Sequence, residues 1–252
     1  MLEQPSYLDR ISADGMSRER LVTLPADLNP ELICWDGNAL YGVILDGNLD
    51  MLSKNYGVRI SLDGQVDTFE IPDSAYTSLA GGWNGKLVLS HTRCPVDINT
   101  MYLYGNYNGF YALERDACVD CWLYDPNTGE MERIQLPGEY SKYLCLAGDS
   151  VVYTRTEPDG ISLCTYDLAT GESQVLYTNQ GNIFSAMPVN RPGGKSRFVC
   201  SYYDYSSVLV ELSTGRFWSP EELTEMVSQE FPGWHVGNIC CETDDGRLVL
   251  EM

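Results

Sequence analysis

Histidine is nearly absent. His91 and His235 are the only two in 252 residues, which excludes any site built on three imidazoles. Basic residues are also scarce, 16 Lys and Arg against 36 Asp and Glu, for a formal net charge of −20. So acidic a chain repels phosphate backbones and anionic lipid, so neither nucleic acid nor a membrane surface is an expected partner. No apolar run approaches the roughly 20 residues that span a bilayer, and membrane insertion is not expected. The opening Met1-Leu2-Glu3-Gln4-Pro5-Ser6-Tyr7 has neither the basic nor the apolar region of a signal peptide. A cytoplasmic location is the expectation, or an extracytoplasmic one if an export signal has been removed. The nine cysteines are an odd number in a long chain, so free, mostly buried thiols are expected rather than a disulfide scaffold.

What is present is a repeat. Tyr124-Asp125-Pro126-Asn127-Thr128-Gly129 leads into Arg133-Ile134-Gln135-Leu136, and Tyr166-Asp167-Leu168-Ala169-Thr170-Gly171 into Gln174-Val175-Leu176-Tyr177. Looser copies are Glu211-Leu212-Ser213-Thr214-Gly215, Ser61-Leu62-Asp63-Gly64 and Ser12-Ala13-Asp14-Gly15. Each reads as a hairpin, with turn residues and a glycine between two strands. Between these hairpins lies a second kind of strand pair: 32–43, 78–89, 143–153, a looser copy over 183–202, and 239–250. Alternation of the two gives four-stranded units about 40–45 residues apart, the period of β-propeller blades. The chain begins with the second half of a unit and ends with the first half of one. The expected fold is all-β, a β-propeller of about five four-stranded blades. Its N-terminal outer strands are expected to pair with its C-terminal inner strands, making residues 1–252 a single domain.

The Asp-x-x-Thr-Gly turns at Asp125–Gly129 and Asp167–Gly171 resemble those of bacterial TolB-like repeat propellers. The resemblance covers most of the chain through turn chemistry and spacing, and it implies architecture, not activity. The Gly-His and Trp-Asp signatures of WD40 repeats are absent. So is the Ser-x-Asp-x-Gly-x-Thr-Trp box of sialidases.

Two segments interrupt the repeat. Ser219-Pro220-Glu221-Glu222 is an N-cap, a first-turn proline and a capping-box glutamate, and predicts a short helix over 219–230. The other segment, 92–117, carries Tyr102, Tyr104, Tyr107, Phe110 and Tyr111 around Asn108-Gly109. It predicts an aromatic hairpin. Tyrosine and phenylalanine give contact area at small entropy cost, so these five, with His91 at the root of the insertion, form the candidate ligand-binding set. The competing reading is that the rings only pack the hairpin down.

The remaining candidates are weaker. Cys118-Val119-Asp120-Cys121 has no second Cys-x-x-Cys to complete a zinc site. Cys34, Cys145 and one of Cys240 or Cys241 recur at one point of the repeat, which fits small residues in tight packing. Asp46, Asp50, Asp97, Glu114 and Asp116 sit in acidic loops with no feature that singles out a catalytic pair. No catalytic residue, metal or cofactor is therefore assigned. A propeller does not fix its function. The expectation is a monomeric, non-enzymatic binding or scaffold module for a protein or glycan, met on one rim. The alternative is a glycan-active hydrolase or lyase with carboxylates at the central channel.

Overall fold

The computed structural model describes residues 7–12, 15–24, 31–35, 38–44, 56–72, 77–93, 118–138, 141–180, 183–189, 196–203, 206–243 and 245–251. The chain divides into two compact units, residues 1–91 with 122–133, and 92–121 with 134–252.

In the first unit, β1 (Tyr7–Ile11) and β2 (Arg18–Thr23) form a two-stranded sheet. A four-stranded meander follows, made of β3 (Glu31–Trp35), β4 (Ala39–Ile44), β5 (Tyr56–Ser61) and β6 (Val66–Glu70). The chain then runs through β7 (Thr77–Trp83), β8 (Lys86–Arg93), β9 (Cys118–Tyr124) and β10 (Met131–Ile134), again hydrogen-bonded in sequence order, with residues 92–93, 118–121 and 134 counted in the second unit. Ala39, Tyr41 and Val43 of β4 pack against Leu79, Leu87, Leu89 and Tyr124. That core exists because β4 is apolar at every residue, as a strand covered on both faces must be, and β8 brings the apolar run Leu87-Val88-Leu89 to it. Val22 and Leu24 form a second cluster with Val58 and Ile60. Gly57 is required by packing, since a Cβ there would lie 2.2 Å from the Phe69 ring.

The second unit holds β11 (Ser141–Ala147), β12 (Ser150–Glu157), β13 (Gly160–Asp167) and β14 (Ser173–Asn179), then β15 (Ile183–Pro188), β16 (Phe198–Tyr203), β17 (Ser206–Glu211) and β18 (Phe217–Trp218). These are two further four-stranded meanders. Val152 and Leu163 of the first pack against Ala186, Val199, Val208 and Val210 of the second. The Tyr177 hydroxyl bonds the Ser201 hydroxyl at 2.7 Å between them. Helix α1 (Pro220–Glu230) carries both halves of the capping box: Glu222 N donates to Ser219 Oγ at 3.2 Å and Ser219 N donates to Glu222 Oε2 at 2.8 Å. β19 (Asn238–Glu242) and β20 (Leu248–Glu251) form the last two-stranded sheet.

The repeat is visible in two kinds of detail. The turns at Asp125, Asp167 and Glu211 share one hydrogen-bond plan. The Gly129, Gly171 and Gly215 amides donate to the first residue's carbonyl at 2.8 to 2.9 Å. The threonine hydroxyl oxygens accept from the Glu130, Glu172 and Arg216 amides at 3.1 to 3.2 Å. The glycines sit at φ of +75°, +74° and +69°, a region that costs other residues about 1–2 kcal/mol.

Second, every strand pair that opens a meander slips register once. The slips fall between Leu32 and Cys34, Leu79 and Gly81, Tyr143 and Cys145, Ile183 and Ser185, and Ile239 and Cys241. The residue after each slip is small: Cys34, Gly81, Cys145, Ser185 or Cys241. A bulge increases twist and bends the strand, and a small side chain fits the tightened turn of the ribbon. The recurrent cysteine is thus the residue that follows a bulge. Cys145 also packs in the core, whereas Cys240, in the bulge itself, is exposed. Cys121 and Cys164 are buried as well, and Cys34, Cys200 and Cys241 are half-buried.

Among the described residues β1–β2 and β19–β20 are separate two-stranded sheets, and the hydrogen-bonded closure expected from the sequence is not seen. Among the described residues, no helix is long and apolar enough to cross a membrane.

Candidate functional site

Of the residues singled out from the sequence, Tyr102, Tyr104, Tyr107, Phe110 and Tyr111 lie outside the described residues, as do Asp46, Asp50, Asp97, Glu114 and Asp116. His91 is in β8, directly across from Thr77 of β7, and its Nδ1 hydrogen-bonds the Thr77 hydroxyl at 2.9 Å. That bond is cross-strand and local, and it gives the imidazole a structural partner. Cys121 is fully buried in β9, as suits a core residue.

The recess that the second unit offers is elsewhere. A groove of about 640 Å³ opens where the β11–β12 turn, the β13–β14 turn and the two ends of the β16–β17 hairpin meet. Its volume is within the range of small-ligand sites. One wall is Ala147-Gly148-Asp149-Ser150. It is tied to the next by Leu168 N, which donates to the Asp149 carbonyl at 2.9 Å. The second wall is the Asp167 turn with Thr165, Glu172, Ser173 and Gln174. The Ser173 hydroxyl donates to the Thr165 carbonyl at 3.1 Å and lies 2.6 Å from the Tyr153 hydroxyl. Ser196, Arg197, Leu212 and Ser213 form the third wall. It is closed by Leu212 N, which donates to the Arg197 carbonyl at 2.8 Å.

The lining is therefore mostly hydroxyl, carboxylate and backbone. Asp167 Oδ1 accepts from Thr170 N at 2.8 Å, Ala169 N at 2.9 Å and the Thr170 hydroxyl at 3.2 Å. The Thr170 amide, then the Ala169 amide and the Thr170 hydroxyl, hold this carboxyl below the ordinary carboxylate range. It stays ionised at neutral pH and is not a proton donor there.

Among the described residues of the lining Arg197 is the one cation, and it is already engaged. Its backbone N–H donates to Glu242 Oε2 at 3.1 Å, its Nε donates to Glu242 Oε1, and its Nη2 donates to the Gly246 carbonyl at 2.9 Å. The Glu242 side chain is 0% exposed and the Arg197 side chain 47%. Gly246 has to be glycine, with φ of +84° and the guanidinium where a Cβ would stand. Neither Arg197 nor Glu242 falls in a repeat turn, so no sequence signal marks them. The Asp149 and Asp167 turns were visible as repeat turns, though not as neighbours.

No family model matches this sequence, and no curated protein does. Solved structures do. Oligogalacturonate lyase in complex with manganese is similar at a TM-score of 0.52 and 12% identity, over 85% of this chain and 59% of that one. The oligogalacturonate lyase of Vibrio parahaemolyticus is similar at 0.52 and 9%, over 85% and 60%. TolB from Acinetobacter baumannii is similar at 0.46 and 16%, over 81% of this chain and 45% of that one. The chain spans about half to three fifths of the length of these proteins. At such identities the likeness is one of fold: a mostly β chain of β-propeller type.

Proposed function

We propose that this chain is a non-enzymatic binding module that takes a neutral or cationic, hydroxyl-rich ligand, a glycan, in the groove of its second unit. The observation that carries this reading is the lining. Among the described residues, hydroxyls of Ser150, Thr165, Ser196 and Ser213 and the carboxylates of Asp149, Asp167 and Glu172 share the groove with one arginine, and that arginine is bonded to a buried glutamate. Carboxylates and hydroxyls are the groups that accept hydrogen bonds from sugar hydroxyls. Asp167 spends its charge on its own turn, which fixes the wall rather than preparing it for acid–base work.

The module is proposed to be a propeller of about five blades. Among the described residues β3–β6, β7–β10, β11–β14 and β15–β18 each run as four strands paired in sequence order, and the separate β1–β2 and β19–β20 sheets are assigned in this proposal to a fifth blade. The alternative, a hydrolase or lyase, draws on the fold likeness to oligogalacturonate lyase. A groove with three carboxylates repels a polyuronate, so this site favours binding over that chemistry.

The test is to incubate the protein with neutral, amino and uronic-acid oligosaccharides and to follow both affinity and products. Saturable binding of a neutral or amino sugar without turnover is the expected result. Cleavage of any of them, or release of an unsaturated uronate, overturns the reading.

A further inference from the structure

We propose that α1 and the segment behind it form a docking surface for a cationic, amphipathic segment of a partner protein. The chain leaves α1 at Phe231 and folds back along it. Phe231 N donates to the Val227 carbonyl at 2.9 Å and Trp234 N to the Phe231 carbonyl at 3.1 Å. The Ser228 hydroxyl donates to the Trp234 carbonyl at 3.1 Å, and Val236 N donates to the Thr224 hydroxyl at 3.3 Å. Residues 231–236 therefore lie as a strap beside the Thr224–Ser228 row of the helix.

The strap's backbone is fixed, yet its largest side chains face water. Phe231 is 48% exposed and Trp234 51%. The core beneath is filled by Leu223 and Val236 with Phe198, Leu209 and Trp218. Two aromatics held outward on an anchored backbone are the usual anchors of a protein interface.

Charge selects the occupant. At 100° per residue, the helix row next to Thr224 and Ser228 is Glu221 and Glu225. α1 contains Glu221, Glu222, Glu225 and Glu230 and has no basic residue in its last turn. Glu221 and Glu222 suit the first turn. Glu230 opposes the dipole at the C-terminal end, so helix stability does not account for it. An acidic row on the helix with two exposed aromatics on the strap complements lysine or arginine side chains, whose cations also favour an indole face.

The probe is a synthetic amphipathic peptide of lysine and leucine, titrated into the whole chain with amide chemical shifts as the readout. A glutamate and leucine peptide of the same pattern serves as control. Shifts confined to 221–236 are expected, with affinity that falls as salt rises. Trp234→Ala should weaken binding about tenfold, and Glu225→Lys should weaken it and flatten the salt dependence. Both residues are exposed, and an unchanged thermal midpoint confirms that each variant folds. The proposal is overturned if the basic peptide does not bind, if either variant binds as well as the parent, or if the acidic peptide binds equally. It is also overturned if the surface is covered by a second copy of the chain, seen as concentration-dependent dimerisation that Trp234→Ala abolishes.

Discussion

Arg197 and Glu242 stand 45 residues apart, yet the backbone and guanidinium of the first both donate to the carboxylate of the second. Glu242 is the last residue of β19, and Arg197 leads into β16. The pair therefore fastens the β19–β20 sheet to the neighbouring meander and fixes one wall of the groove.

Removing one partner from such a pair strands a charge. Arg197→Ala is expected to cost about 3 kcal/mol, toward the low end for a buried pair because the arginine side chain is half exposed. Glu242→Gln should cost less, because it removes the buried charge and keeps an acceptor for the Arg197 amide. Urea unfolding of the three proteins measures the order. A smaller loss for Arg197→Ala than for Glu242→Gln would contradict it.

The repeat glycines separate conformational from steric demand. Gly129 and Gly215 share a left-handed φ, but a Cβ at Gly129 meets nothing within 4 Å, whereas at Gly215 it lies 2.7 Å from the Leu176 carbonyl oxygen. Gly129→Ala is expected to cost about 1 kcal/mol. Gly215→Ala should cost clearly more, because β14 backbone has to move. Thermal unfolding of both variants gives the comparison, and equal losses would contradict it.

Acid should unfold the protein through its turns and through the ion pairs that join β1 to β2. Asp63 is held low by the Ser61 hydroxyl and the Gln65 amide, and Asp125 by the Asn127 and Thr128 amides. Asp9 is held low by Arg18, and Asp245 is lowered to about 2 by Arg247 and Thr243. A carboxyl lowered in the folded state adds stability above its unfolded value near 4, and that stability is lost as pH falls through the folded value. Stability should therefore be flat from neutral pH down to about 5, then fall between about 4 and 2. Asp167→Asn should flatten part of that fall in urea titrations at stepped pH.

Thiol reactivity should follow burial. Burial pushes the Cys145 thiol up to about 12 and raises Cys164 and Cys200. Cys240 is exposed. Since the thiolate is the reactive species, alkylation at mildly alkaline pH should mark Cys240 well before Cys145, which should react only on unfolding. Peptide mapping by mass spectrometry reads the order.

The fold was legible where a local rule fixes local geometry. Asp-x-x-Thr-Gly specifies its own hydrogen bonds, so the turns at Asp125 and Asp167 could be read from five residues each. Ser219-Pro220-Glu221-Glu222 marks a helix start for the same reason. The bulges were half legible, since Cys34 and Cys145 marked the position but Gly81 and Ser185 disguised it. The groove was not legible, because its three walls meet only when two meanders pack. Arg197 and Glu242 carry no motif, and their pairing is a fact of tertiary structure alone. Nor did the sequence show that His91 would be turned to Thr77 across a strand pair.

The groove as a ligand site is tested most directly by blocking it. Ser213 is exposed on the third wall, and Ser213→Trp places an indole in the cleft without disturbing the Arg197–Glu242 pair. Isothermal titration with the neutral or amino sugar that binds the parent should show affinity reduced at least about tenfold in a variant with an unchanged thermal midpoint. Unaltered affinity in that folded variant would place the ligand elsewhere and contradict the account.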